Sequence, residues 1–440
     1  MPSVSRMPTL IGSPHGCAPR RAGLTVMFAA TSCNRSRGLR IPEEVFTLTI
    51  NGRYTQDTRA VSDSAIDIYM KPDPDTIRFV PWYQEPTAQV ICDAFHLDDR
   101  PVEISPRHVL KRVLQAYKEK GWRPVIAPEL EFYLVKKNID PDYPLDAAVG
   151  RSGRKEPGGQ AYGIDAANDF DPIVEDIYDY CEAQELDVDT LSHESGPAQL
   201  EINFNHGDPL ELADQVFLFK RTVRQAALKH DMYATFMAKP HENEPGSSMH
   251  IHQSVMDIKT GKNIFASKDG AQSKLFLNHI GGLQRYLAAA LSLCAPNVNS
   301  YRRLVPESDA PTNVHWAVDN RTVSLRVPSS DASNTRVENR VPGADANPYL
   351  AFAASLACGY LGMIERIKPS EPVTGSAYRY AHTLPISLDE SLDKLNYTKA
   401  LKQVLGEKFC EAYNDVKYEE MQNYRRVISS WEREYLLLNV

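Results

Sequence analysis

Apolar and polar residues alternate along Met249-His250-Ile251-His252, the pattern of a strand. His250 and His252 then share one face, while Met249 and Ile251 turn the other way, toward a core. The Gly246-Ser247-Ser248 lead-in is turn chemistry that brings backbone close to whatever the histidines hold. Extended runs also occur at residues 125–135, 199–204, 233–238, 323–327 and 336–341, with a turn through Gly196-Pro197 ahead of the second. Val109, Leu110, Val113, Leu114 and Tyr117 fall at helical spacing after Ser105-Pro106, and Gly121 stops that helix. Helices are likewise predicted over 172–184, 210–230, 274–293 and 347–367, and from Lys399 onward. Upstream, residues 45–50 alternate like a strand before the turn signal Asn51-Gly52, and strand-like runs follow at 77–80 and 89–92. The expected fold is α+β: a small β-rich unit over residues 38–103, then a larger body over 104–440. Residues 136–163 are rich in Gly, Pro and Asp and too long for a plain connector, which predicts a functional loop.

Composition narrows the function classes. A net charge of −8 gives no reason to expect nucleic acid as a partner. No apolar run reaches the ~18 residues of a membrane span, so none is expected. The seven cysteines are scattered without a Cys-x-x-Cys, which argues against a zinc knuckle or disulfide framework and fits a reducing, cytoplasmic setting. Residues 1–40 differ from the rest, with six arginines and no Asp, Glu or Lys. That composition is like an organellar transit peptide. Neither a cleavage signal nor a clear amphipathic helix supports import, so residues 1–37 are read as a disordered, divergent extension.

The chemistry lies in acids carried on strands. In Glu129-Leu130-Glu131 both carboxylates point one way and Leu130 the other, and Arg336, Glu338 and Arg340 share a face in the same manner. Glu194 and Glu201 flank the Gly196-Pro197 turn and can converge. Buried like charges repel, so such a set calls for a cation. Several carboxylates with a histidine make a hard, oxygen-rich site suited to Mg²⁺ or Mn²⁺. Arg303, Arg321, Arg326 and Arg340 add positive charge, which together with the metals suggests phosphoryl transfer from a polyphosphate. No Walker motif occurs, so a nucleotide would bind without a P-loop.

These segments carry a resemblance. Pro128 to Phe132, His193-Glu194 through Gln199-Leu200-Glu201, Gly246 to His252, Asn299 to Pro306, Asn320-Arg321, Arg336 to Arg340 and Asn347 to Leu350 run in the order of the glutamine synthetase superfamily. The chain resembles these ATP-dependent carboxylate–amine ligases over about residues 38–440, most closely the γ-glutamylpolyamine synthetase-like branch. The resemblance implies a β-grasp-like N-terminal domain and a catalytic domain with a curved antiparallel sheet. It implies Glu131, Glu194 and Glu201 as ligands of one metal ion, and Glu129, His250 and Glu338 as ligands of a second. His252 and Ser254 match nucleotide-contacting positions, and Arg321 and Arg326 match phosphate-contacting ones. Arg303, Arg340 and the Gly246 backbone match the glutamate site. ATP, two or more Mg²⁺ or Mn²⁺ ions, L-glutamate and a small amine are the implied cofactors and partners. The implied assembly is a homo-oligomer, a dodecamer of two hexameric rings.

The departures bear on the amine. The family's early strands are not recognisable in residues 1–37, so the β-grasp domain reads as incomplete, and Ser62-Asp63-Ser64 is an inexact copy of the family's Asp-Gly-Ser-Ser. Asp309, after Glu307-Ser308, stands where glutamine synthetases carry a glutamate for ammonium, and Pro245 replaces an asparagine. Asp309 and Arg321 are the expected catalytic residues. The expected reaction joins the glutamate γ-carboxyl to a diamine or polyamine through γ-glutamyl phosphate, the alternative being glutamine synthesis from ammonia. An inactive structural member is the reading from another class, but all six metal-ligand positions are filled.

Overall fold

In the computed structural model the described residues are 27–28 and 39–440, without 56–57, 59, 62–63, 65, 268–270 and 307. The readings of Ser62, Asp63, Glu307 and most of 1–37 lie outside them. The first sheet holds β1 (Met27–Phe28), β2 (Leu39–Pro42), β3 (Asp67–Pro72), β4 (Arg78–Phe79) and β5 (Ala88–Phe95). Its order is β1-β5-β3-β2, with β4 also on β5, and every pairing is antiparallel. Within the stretch expected to be disordered, Met27 therefore pairs with Ile91 and Phe28 with Val90.

The alternation at 45–50 does not make a strand. Glu43–Thr47 is a 3-10 helix, after which the chain reverses at the expected Asn51-Gly52 turn, with Gly52 at φ +73°. Tertiary contacts override the pattern here: buried Glu43 meets Lys408, and the Ile50 amide donates to the Glu420 carboxylate at 2.6 Å.

Helix α1 (Pro106–Glu119) leads into the second sheet. Its strands are β6 (Trp122–Lys136), β7 (Val188–His193), β8 (Gln199–Phe204), β9 (Met232–Thr235), β10 (Met249–Asp257), β11 (Trp316–Val318), β12 (Leu325–Val327) and β13 (Val337–Asn339). The order is β11-β12-β13-β10-β6-β8-β7, with β9 on the far end of β6. Pairing is antiparallel except at β11–β12, where the six residues between two three-residue strands suffice for the return at about 3.3 Å each. The pattern missed β7, which is mostly polar, and β11, which is only three residues long.

The remaining helices are α2 (Ile164–Asp169), α3 (Asp171–Ala183), α4 (Pro209–Lys229), α5 (Lys274–Cys294), α6 (Pro348–Glu365), α7 (Leu388–Tyr397), α8 (Lys399–Leu405), α9 (Glu407–Tyr424) and α10 (Ser430–Leu436). Among the described residues, none is long and apolar enough to cross a membrane. One core joins the inner face of the sheet, including Leu130, Met249, Ile251, Ile202 and Val337, to α1, α4, α5 and α6. Gly282 and Gly362 let α5 and α6 approach so closely that a Cβ on either would lie 2.4–2.5 Å from the other's Cα.

Buried Arg107 on α1 joins the first sheet to this body. Its guanidinium meets Asp73, just past β3, at 2.7 Å, Asp93 on β5 at 2.9 Å and Asp214 on α4 at 2.9 Å. Tyr349 on α6 donates its hydroxyl to Asp214. Asp93, also reached by Lys111, is held below the usual carboxylate range against the pull of burial, whereas burial keeps Asp214 above it.

Candidate active site

Strand register assembles the site. Glu129 on β6 lies opposite His250 on β10, Glu131 opposite Glu201 on β8, and His252 opposite Glu338 on β13. Arg326 on β12 lies opposite Glu338 in turn. Directly paired residues share a face. One face of the sheet thus carries the acids and histidines, while the residues between them form the core.

Glu129 stands at the centre. It meets His250 Nδ1 at 3.1 Å and His252 Nε2 at 2.8 Å. Burial alone would raise it, but the two histidines hold it well below the usual carboxylate range. Arg336 Nε donates to His252 Nδ1 at 3.3 Å, so His252 keeps its proton on Nε2, facing Glu129. Glu338, 1 % exposed at its side chain, accepts from Arg326 at 2.8 Å and from Arg340 at 2.6 Å. Burial opposes its charge, yet His250 and Arg340 hold it ionised below its usual range.

The other side of the cluster lacks such cations. Burial, then the charge of Glu131, pushes Glu194 up to about 7. Burial with Glu131, Glu129, Glu194 and Glu338 pushes Glu201 up to about 9. Glu131 accepts the Ser248 amide at 2.8 Å and the Ser248 hydroxyl, with Gln199 Nε2 at 3.4 Å. Among the described residues, two donor groups have ligand atoms within 4.8 Å of one another: Glu129, Glu201 and His250, and Glu129, His252 and Glu338. The sequence grouping divides these residues differently. It put His252 with the nucleotide and joined Glu201 to Glu131 and Glu194; here Glu129 is common to both groups. Mutually repelled buried carboxylates with histidine nitrogens among them fit divalent cations with oxygen-rich coordination.

The nominated arginines are distributed unequally. Arg303 is buried, its Nη1 donating to Val341 O at 2.8 Å and its Nη2 to Arg340 O at 3.0 Å, so two donors are held by backbone. Burial pushes it down to about 10 against the charges of Glu131 and Asp345. Gly246 packs on it: a Cβ there would come within 2.5 Å of Ala238 O and 2.7 Å of Arg303 Cγ. Arg321 is exposed, yet near enough for its charge to lower Glu194. Ser254 is half-buried further along β10, opposite Val125. Asp309 is exposed and left-handed at φ +56°, with its charge reaching Lys239 and Tyr378.

Sequence reasoning missed Gln199 and Ser248 as the partners of Glu131. Gln199 reaches Glu131, the Gly246 carbonyl at 3.0 Å and, through its Oε1, the Gly196 amide at 3.0 Å. Its place two residues before Glu201 was the available signal. Tyr162, at the end of the 136–163 loop, sits close enough to Glu194 for that charge to raise its hydroxyl, which supports reading this loop as functional.

A two-sheet α+β fold that gathers carboxylates and histidines on one sheet face, beside buried Arg303 and Arg340, has the donor set for divalent cations and anionic substrates. The profile of the glutamine synthetase catalytic domain matches residues 103–436. Gamma-glutamylputrescine synthetase PuuA of Escherichia coli (strain K12) is 38% identical over 355 residues, covering 80% of this chain and 75% of its own length. A glutamate–isopropylamine ligase of Pseudomonas sp is 35% identical over 373 residues, covering 83% of this chain and 80% of its own. The glutamine synthetase of Pyrococcus woesei is 34% identical over 403 residues, 88% of each chain. A solved structure of a GmaS/ADP complex superposes with a TM-score of 0.78 at 27% identity, covering 91% of this chain and 90% of the other. The chain belongs to the glutamine synthetase family, and is an enzyme of its ATP-dependent, amide-forming ligase type.

Proposed function

We propose that this chain joins the γ-carboxyl of glutamate to a diamine or polyamine, using ATP. Arg303, Arg340 and the Gly246 turn hold glutamate; Glu129, Glu131, Glu194, Glu201, His250 and Glu338 hold the divalent cations. His252, Ser254, Arg321 and Arg326 receive the nucleotide and its phosphates. The γ-carboxylate attacks the terminal phosphorus of ATP, giving γ-glutamyl phosphate and ADP. The amine nitrogen then displaces phosphate, after losing a proton to a carboxylate, the role assigned to Asp309. Divalent cations would supply neutralisation of phosphoryl oxygens, and Arg321 would add positive charge as phosphate departs.

The observation that carries the choice of amine is Asp309. It is one methylene shorter than glutamate and exposed, with its charge reaching Lys239 and Tyr378 rather than enclosed by them. Ammonium offers only charge and four N–H donors and needs a small closed anionic pocket, whereas a polyamine needs an open channel with a carboxylate near its reacting end. The amine-ligase names among the relatives support the same choice. Phosphate release with glutamate and ATP should be compared for ammonium, putrescine and spermine at matched concentrations. A polyamine should give the higher kcat/KM; an ammonium rate ~10-fold or more faster makes the protein a glutamine synthetase.

A further inference from the structure

Helix α4 buries a lysine for which this reaction has no direct use. Lys220 Nζ donates to Ala344 O at 2.6 Å and Ala346 O at 2.8 Å, and lies 5.7 Å from the centroid of the Phe236 ring. Both carbonyls belong to the loop over residues 340–346, between β13 and α6. Other groups fasten the same loop. Arg303 donates to the carbonyls of Arg340 and Val341. Asp345 accepts from Asn297 Nδ2 at 2.7 Å and Ser300 Oγ at 2.6 Å. The Ala344 amide donates to Ser247 O, and the Met249 amide donates to Pro342 O. Between those two partners, the Ser248 amide holds Glu131. The loop therefore touches each backbone segment that aims Arg303, Arg340 and Glu131. Burial pushes Lys220 down to about 7. Charged or neutral, an amine keeps at least the two N–H bonds that two carbonyls require.

We propose that Lys220 is a positioning residue: it fixes the 340–346 loop, and through it the spacing of Arg303 and Arg340, which hold glutamate, and of the cation ligand Glu131. This rests on the ligase reading above. Small displacements of substrate-holding groups have large effects, because productive geometry tolerates little error.

The test pairs Lys220→Met with Thr222→Val. Met preserves much of the apolar stem and removes the donors. Thr222, on the same helix, is also buried, but its hydroxyl contacts Leu218 O and Gln184, away from the loop. Amide hydrogen exchange is read on the substrate-free chain, and steady-state kinetics with ATP, glutamate and amine. In Lys220→Met the amides of Ala344 and Met249 should exchange ~10-fold faster or more, and the glutamate KM should rise ~10-fold while the ATP KM stays within ~2-fold. Thr222→Val should change neither. If Lys220→Met does not fold, Lys220→Arg, which keeps a cation but displaces its donors, is read in the same way. Unchanged loop exchange and glutamate KM in the lysine variant, or equal changes in Thr222→Val, overturn the proposal. Exchange is independent of turnover, so a wild-type chain without ligase activity sinks the ligase reading separately.

Discussion

Two places in this molecule bury several carboxylates together, and they treat them oppositely. Around Arg107, the acids Asp73, Asp93 and Asp214 converge on a guanidinium of the same chain, with Lys111 alongside and Tyr349 completing Asp214. On the face of the second sheet, Glu194 and Glu201 share space with Glu131 and Glu129 and are pushed up to about 7 and about 9. The first cluster is matched largely by cations of the chain itself, although burial still raises Asp214, and it ties the two sheets together. The second is left short of positive charge at the place proposed for the cations and the anionic substrate. Buried acids alone do not mark a site; buried acids that the protein does not neutralise do.

The contrast can be broken from either side. The largest effect is expected at the structural cluster. Arg107→Met leaves three carboxylates around an apolar side chain and should cost about 3–5 kcal/mol in denaturant unfolding, as removal of one member of a buried ion set does. A loss under ~0.5 kcal/mol, the range of ordinary surface changes, would remove its claim to hold the sheets together. Glu201→Gln is the counterpart. It should cut turnover ~100-fold or more while leaving the metal-free melting temperature at pH ~7 unchanged or higher, because Gln, unlike Glu201, need not take up a proton to be buried among the other acids. Parallel loss of activity and stability would put Glu201 in the structural class.

Acidity offers a third contrast. Glu194 and Glu201 bind protons more tightly folded than unfolded. Their contribution to stability is complete below the unfolded carboxylate range, near pH ~4.5, and is lost as pH rises through about 7 and about 9. Metal-free protein should therefore melt at progressively lower temperature between pH ~5 and ~9, and added Mg²⁺ should remove most of that slope by binding the deprotonated acids. A flat metal-free profile would mean that these acids do not repel one another. The smallest effect is expected at Asp309. Asp309→Glu should move the ratio of ammonium to putrescine kcat/KM toward ammonium by ~3–10-fold, about the value of one methylene in a pocket. No change in the ratio would remove Asp309 from the choice of amine.

The sequence by itself determined which residues could share a face. Strict alternation at 249–252 and 129–131 follows from the two-residue period of a strand, and both strands formed where it placed them. Helices α1, α4, α5 and α6 were legible from apolar spacing and from the prolines at the starts of α1, α4 and α6. Residues 45–50 show where such local reading fails: their alternation lost to the docking of Glu43 and Ile50 on α9. Pairing between strands was beyond the pattern. Only strand order and register put Glu129 against His250 and His252 rather than beside Glu131's partners. Only the folded chain decided that Gln199 and Ser248 hold Glu131, or that Lys220 reaches the 340–346 loop across more than a hundred residues. The reason is physical: a side chain's direction is set by its own backbone, but its neighbours are set by which distant backbone the sheet and core bring alongside it.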